Sequence, residues 1–223
     1  MANEVPSPPS LRERIIAAFM GLLAEKSIER IDLAEIAKRA EVPLADLRGE
    51  FGSTLAILAA HTKEIDRAVL RGGDGDMAQE PARERLFDVL MRRIEALAPH
   101  REAVRSLVRS ATRNPPLAVA LNGFAVQSAQ WMLAAADISA SGPQGMLRAQ
   151  GLALLYASVL RTWINDTDPG LARTMAALDS ALARGQRWSG LLDDMLALPA
   201  RLCPSRRRPQ PRHDETGEGT VAA

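Results

Sequence analysis

His61, His100 and His213 are the three histidines of the chain, and Cys203 is its one cysteine. They are far apart in sequence. No His-x-x-x-His pair and no Cys/His ladder occurs, so the spacings that bring metal ligands together on one helix or across a turn are missing. Neither a zinc site nor an intrachain disulfide is expected. Asp193-Asp194 is an acidic pair at a position that reads as a solvated helix face rather than an acid–base couple. Gly72-Gly73-Asp74-Gly75 has the glycine content of a phosphate-cradling loop, but it lacks a preceding strand and a following Lys-Ser/Thr. It reads as a linker. No Gly-x-Ser-x-Gly elbow and no dinucleotide fingerprint appears. The chain is therefore expected not to be an enzyme and to need neither metal nor cofactor. Binding chemistry remains, through exposed cations and hydrogen-bond donors or through apolar side chains able to line a cavity.

The composition says which elements must position such residues. Of 223 residues, 47% are hydrophobic but only 4% aromatic, so the core is built from Ala, Leu, Val, Ile and Met. Scarce aromatic and β-branched residues favour helix over strand, and no strand pattern survives the periodicity test. Lys plus Arg is 28 and Asp plus Glu is 27, which is not the balance of a protein that coats nucleic acid. Met1 to Ser10 is polar and Pro-rich, without the apolar centre of a signal peptide. The longest apolar run, Gly151 to Val159, is far too short to cross a membrane. A cytoplasmic location fits.

Apolar spacing and capping signals predict nine helices and a terminal piece. Ser10 with Glu13 makes a capping box before a helix over Leu11–Glu25. Asp32, with Glu35 three residues on, starts a second helix that runs to Ala40. Val42-Pro43 leads into a short third helix, Leu44–Gly49. Ser53 caps a long fourth helix that ends at Gly72. A fifth is marked by Leu86 to Leu97 and closed by Pro99, and a sixth spans Arg101–Thr112. Asn114-Pro115-Pro116 separates the sixth from a seventh, through Leu117 to Met132. Ser141-Gly142-Pro143 breaks the chain before an eighth, Gln144–Ile164, which is apolar on most sides. Asp166 or Asp168 caps a ninth, with Pro169 at its first position and Leu171, Met175, Leu178 and Leu182 as its stripe. An amphipathic piece covers Trp188–Leu198. The expected organisation is a flexible N-terminus (1–10), a helix-turn-helix module (11–72), a linker (73–81), a helical body (82–198) and a disordered tail (199–223).

The first four helices form a helix, two short helices about a tight turn, and a long helix. The segment from Ile31 to Val42, with Ile36, Ala37, Ala40 and Val42 at its packing positions, resembles the opening of the helix-turn-helix in the tetracycline-repressor (TetR) family. Leu47 and Phe51 stand where that family buries the apolar residues of its recognition helix. Ser53 stands at the start of the next helix. The resemblance covers about Leu11 to Leu70. It implies an all-α, TetR-like fold, a homodimeric transcriptional regulator, double-stranded operator DNA as partner, and release by an apolar small molecule or lipid.

By that resemblance the third helix enters the major groove, where side chains read base edges and neighbouring cations hold phosphates. The implied DNA-facing residues are Lys38, Arg39, Leu44, Ala45, Arg48 and Thr54. Arg48 is the good donor to guanine or phosphate, while Asp46 and Glu50 oppose phosphate. The family commonly has an aromatic where Arg48 stands, a lysine at Thr54 and a glycine at Glu41. Residues 1–73 carry ten cations against eleven anions, whereas DNA-binding modules are usually basic.

In the body, Met91, Ile94, Leu107, Phe124, Trp131, Met132 and Tyr156 are candidate pocket residues, since Met and Trp adapt to an apolar guest. The helices predicted over 144–164 and 171–183 are the implied homodimer surface. The apolar girth of the first of these, through Leu152, Leu154, Leu155, Val159 and Leu160, supports that expectation independently. The stretch Arg148–Tyr156, with Trp163, Asp166 and Thr174–Asp179, also resembles the lipid-binding accessory protein of ubiquinone biosynthesis. That family shares the fold, binds isoprenoid lipid and serves a hydroxylase partner. Asp168-Pro169 and Leu178-Asp179 are the best points of the likeness. An aromatic pair expected before Arg148 is replaced by Gln144, Gly145 and Met146.

Overall fold

Ser10 opens the first helix as its sequence requires. The Glu13 N–H donates to Ser10 Oγ at 3.3 Å, and the Ser10 N–H donates to Glu13 Oε2 at 2.8 Å. The pairing satisfies two donors that a helix N-terminus leaves open. The computed structural model describes residues 8–72 and 79–185. The amphipathic piece predicted for Trp188–Leu198, the tail from Pro199, and with them Asp193-Asp194, Cys203 and His213, lie outside the described residues.

The described residues form α1 (Leu11–Glu25), α2 (Leu33–Ala40), α3 (Leu44–Glu50), α4 (Thr54–Arg71), α5 (Ala82–Leu97), α6 (Arg101–Ala111), α7 (Pro115–Ala135), α8 (Gly142–Trp163) and a ninth helix, α9, over residues 172–185. There is no strand among them. No helix is long and apolar enough to cross a membrane.

Three helix starts differ from the sequence-based expectation. Pro115 and Pro116 do not separate α6 from α7 but form the first turn of α7, under an Asn114 cap that accepts the Leu117 N–H at 3.1 Å. A proline there loses no hydrogen bond, because the first N–H groups of a helix have no partner inside it. In the same way α8 begins at Gly142, with Pro143 in its first turn. Pro169, by contrast, precedes α9 rather than starting it. The chain turns through Leu171, at φ +52°, before residue 172. Asp166 and Asp168 both cap α9: Asp166 Oδ2 accepts from the Thr174 N–H and hydroxyl, and Asp168 Oδ2 accepts the Ala172 N–H.

Two apolar cores fill the fold. One gathers Ile15, Phe19 and Leu23 of α1 with Ile36, Leu47 and Ile57, and it also takes Ala103 and Leu107 from α6 and Leu117 from α7. The other gathers α5, α7, α8 and α9 around Leu90, Ile94, Met132, Trp163 and Leu178. Helix α4 feeds both, with Ile57 and Leu58 in the first and Ile65 and Val69 in the second. A displacement of α4 is therefore felt in both cores, because close-packed interiors transmit strain.

Candidate functional site

The exposed surface of α2 and α3 has a definite charge arrangement. Of the expected DNA-facing residues, Lys38, Arg39, Leu44, Ala45 and Arg48 are exposed, and Thr54 is half-buried as the first residue of α4. Arg39 is engaged: its guanidinium makes a two-pronged pair with Glu25, at 2.6 and 3.2 Å, which lowers the Glu25 carboxyl below its ordinary range. Lys26 pairs with Glu35, and Arg12 pairs with Glu50 at 3.6 Å while stacking over the Phe51 ring. Glu35 is thus turned to Lys26 and does not close a capping box on Asp32. Lys38 and Arg48 have no ion pair among the described residues. The turn between α2 and α3 places Glu41 at φ +54°, where glycine has the advantage. Arg14 Nη2 secures the turn by donating to the carbonyls of Ala40 and Glu41 at 2.6 and 2.8 Å.

A half-open cavity of about 420 Å³ lies between α4, α5, α6, α7 and α8, with Met20 of α1 also on its wall. Leu107, Phe124, Met132 and Tyr156 are on its wall. Three other candidates are placed elsewhere. Trp131 is 56% exposed on the outer side of α7, Ile94 is sealed in the core, and Met91 is partly buried against that core. Apolar spacing marks a helix face without saying whether the face meets other side chains, a void or solvent.

His61, Arg93 and Ser128 also stand on this wall, and Asp66 and His100 contact them without lining it. Arg93 of α5 donates through Nε to Asp66 Oδ1 of α4 at 3.1 Å, and Ser128 Oγ of α7 donates to Asp66 Oδ2 at 2.6 Å. Arg93 also donates to Ser128 Oγ at 3.2 Å and lies over the Tyr156 ring, 5.2 Å from its centre. His61 of α4 meets His100 edge to face, with ring centres 4.5 Å apart. Histidines 39 positions apart in sequence are thus neighbours in space. Burial, with the positive charges of His100 and Arg93 behind it, lowers the His61 pKa from 6.5 to about 4. Burial pushes the Tyr156 hydroxyl upward. Sequence reasoning missed Asp66, Arg93 and Ser128. The available signal was a charge inside an apolar stripe, since Arg93 stands between Leu90 and Leu97 beside Ile94. No group of three or more His, Cys, Asp or Glu side chains able to hold a metal occurs among the described residues.

The residues of the second likeness have structural work nearby. Asp166 and Asp168 cap α9, and Asp179 pairs with Arg83. Trp163 is buried under the Arg101 guanidinium, which donates to the carbonyls of Trp163 and Asp166 at 2.7 and 2.9 Å. Gly145 stands where a Cβ would come within 2.0 Å of the Ala140 backbone, so no aromatic could replace it in this packing. Met146, Leu147 and Leu154 of α8 and Met175 of α9 are exposed apolar side chains.

No protein-family model matches the sequence, and no curated protein matches it. Solved structures do. A TetR transcriptional regulator from Nitrosomonas europaea is similar at a TM-score of 0.63 and 21% identity, over 80% of this chain and 99% of that one. One from Rhodococcus sp. RHA1 is similar at 0.55 and 22%, over 78% and 95%. A TetR-family regulator from Streptomyces coelicolor is similar at 0.50 and 16%, over 88% and 100%. The ubiquinone-type likeness rests on its sequence motifs alone. Identities this low establish architecture rather than activity: the chain has the all-α fold of the TetR-type transcriptional regulators.

Proposed function

We propose that the protein is a homodimeric, DNA-binding transcriptional regulator that responds to an apolar small molecule or lipid. The observation that carries this reading is the pair of exposed cations, Lys38 and Arg48, which have no ion pair among the described residues and stand on α2 and α3 in a TetR-type fold. Arg48 would reach guanine or phosphate, with Leu44 and Ala45 available to thymine methyl groups. The N-terminus of α4 at Thr54 would add backbone donors to a phosphate.

Ligand response is built on α4. Its first half packs in the DNA-facing module, while His61 and Thr62 stand on the cavity wall. A molecule that fills the cavity would shift α4 and with it the placement of α3. Its effect on DNA affinity equals its difference in affinity for the two α4 positions. The exposed apolar side chains of α8 and α9 support pairing of two copies through residues 144–164 and 171–183. Light scattering would check the dimer, and a stable monomer would remove it. The DNA reading is tested by mobility shift on genomic fragments across a salt series. Retardation that weakens with salt is expected; no retardation at low salt would overturn the reading.

A second reading, a lipid-binding accessory protein that does not bind DNA, is favoured by one observation. Arg12, Lys26 and Arg39 are all committed to carboxylates, which leaves a nearly neutral surface around α3. Native mass spectrometry of gently purified protein separates the two, because this reading requires a co-purifying isoprenoid or phospholipid.

A further inference from the structure

The half-open cavity differs between its interior and its rim. Leu90, Arg93, Ser128 and Met132 on its wall are buried. Its exposed lining residues are Thr112, at the end of α6, and Leu154, Ala157 and Arg161 of α8. Leu154, Ala157 and Arg161 are three and four positions apart, so they fall on one stripe of α8. Arg161 therefore stands at the rim, on a stripe that is otherwise apolar.

The wall carries two guanidinium groups, those of Arg93 and Arg161, and no carboxylate. Arg93 is bonded through Nε to Asp66 and through Nη2 to Ser128, while its Nη1 is bonded to neither. Asp66 contacts Arg93 without lining the cavity, so a guest meets the cation rather than its carboxylate partner. The Arg161 side chain has no ion pair among the described residues. A cationic guest would face two like charges and no acceptor of opposite sign. An anion held deep inside would lose its hydration for a guanidinium already shared with Asp66. An anion at the rim keeps part of its water and meets a free guanidinium, whose fork can hold a carboxylate by two parallel hydrogen bonds.

Resting on the reading of this cavity as a ligand site, we propose that its ligand is a monocarboxylate with a long apolar tail, its carboxylate held by Arg161 at the rim and its tail in the chamber. The single spare guanidinium matches a single negative charge. Burial of the tail supplies the affinity, and the sign of the head group supplies selectivity.

The test is competition of decanoate, decylammonium and 1-decanol against the neutral dye 1-aminoanthracene on the full chain, near pH 7.5. The two ions carry similar tails with opposite charge. Decanoate is expected to bind at least about tenfold more tightly than decylammonium, because the wall attracts one head and repels the other. Arg161→Gln is expected to shrink that ratio at least about threefold, and Arg161→Glu to bring it to about one or below, with decanol affinity kept within about twofold in both. A thermal melt of each variant checks folding, and the exposed position of Arg161 leaves the cores untouched. Decanoate binding no better than decylammonium, or an unchanged ratio in both Arg161 variants, would overturn the inference, and binding of decanol would still leave the cavity a ligand site. Failure of the dye and all three probes to bind would remove the cavity reading itself.

Discussion

Arg93 on α5 and Asp66 on α4 form a buried ion pair at 3.1 Å, and Ser128 on α7 bonds both partners. Three helices are thereby joined through one polar cluster, of which Arg93 and Ser128 line the cavity. Removing one partner leaves a bare charge in a low-dielectric site. Arg93→Met is therefore expected to destabilise the protein by about 3–5 kcal/mol. Adding Asp66→Asn should recover part of that loss. Urea denaturation of the two single variants and the double variant checks this, and additive losses would show that the pair is uncoupled.

Glu41 holds a left-handed conformation at the C-terminus of α2, a conformation that costs a side-chain-bearing residue roughly 1–2 kcal/mol. Glu41→Gly relieves that cost and gives back part of it in chain entropy. A net gain of about 0.5–1 kcal/mol is expected, visible as a raised thermal midpoint.

On the proposed DNA-binding function, Arg48 and Arg39 should differ in their effect, although they stand close in sequence. Arg48→Ala is expected to weaken operator binding by about 1–3 kcal/mol if it reads a guanine. Arg39→Ala should weaken it less, because Arg39 is already paired with Glu25. Titrating both variants by fluorescence anisotropy at one salt concentration checks the order.

Stability should fall on mild acidification through His61. In the folded protein its pKa is depressed from 6.5 to about 4, so the folded state holds it neutral while the unfolded chain takes up a proton. Its contribution is intact above the unfolded value, declines as pH drops below about 6.5, and declines no further once pH passes the folded value. About 1 kcal/mol should be lost between pH 7.5 and 5.5 from this group. Burial depresses His100 as well, in the same direction. Chemical denaturation at both pH values should show a smaller loss for His61→Leu than for the parent chain.

Much of the N-terminal module was legible because its signals are local. Ser10, Asp32 and Ser53 each bond a backbone N–H three residues on, as their spacing suggests. Ile36, Ala37, Ala40, Val42, Leu47 and Phe51 are buried. Proline was the less certain guide. Pro115 and Pro143 fit a first helical turn as readily as a break, and only the path of the flanking chain distinguishes the two. Trp131 shows the same limit for packing. It shares the apolar character of Met132, its neighbour on α7, yet one is exposed and the other is 1% exposed.

Periodicity, capping residues and composition determined an all-helical chain whose first four helices carry a helix-turn-helix rhythm, since each depends on residues within one or two turns. Tertiary structure decided which charges are spent and which are free. Arg39 meets Glu25 across 14 positions, Arg93 meets Asp66 across 27, and Ser128 meets Asp66 across 62. The same long-range packing brings His61 of α4 and Tyr156 of α8 to one cavity. Ion pairing and desolvation depend on what the fold sets within a few ångströms of a group, and sequence distance carries no record of it.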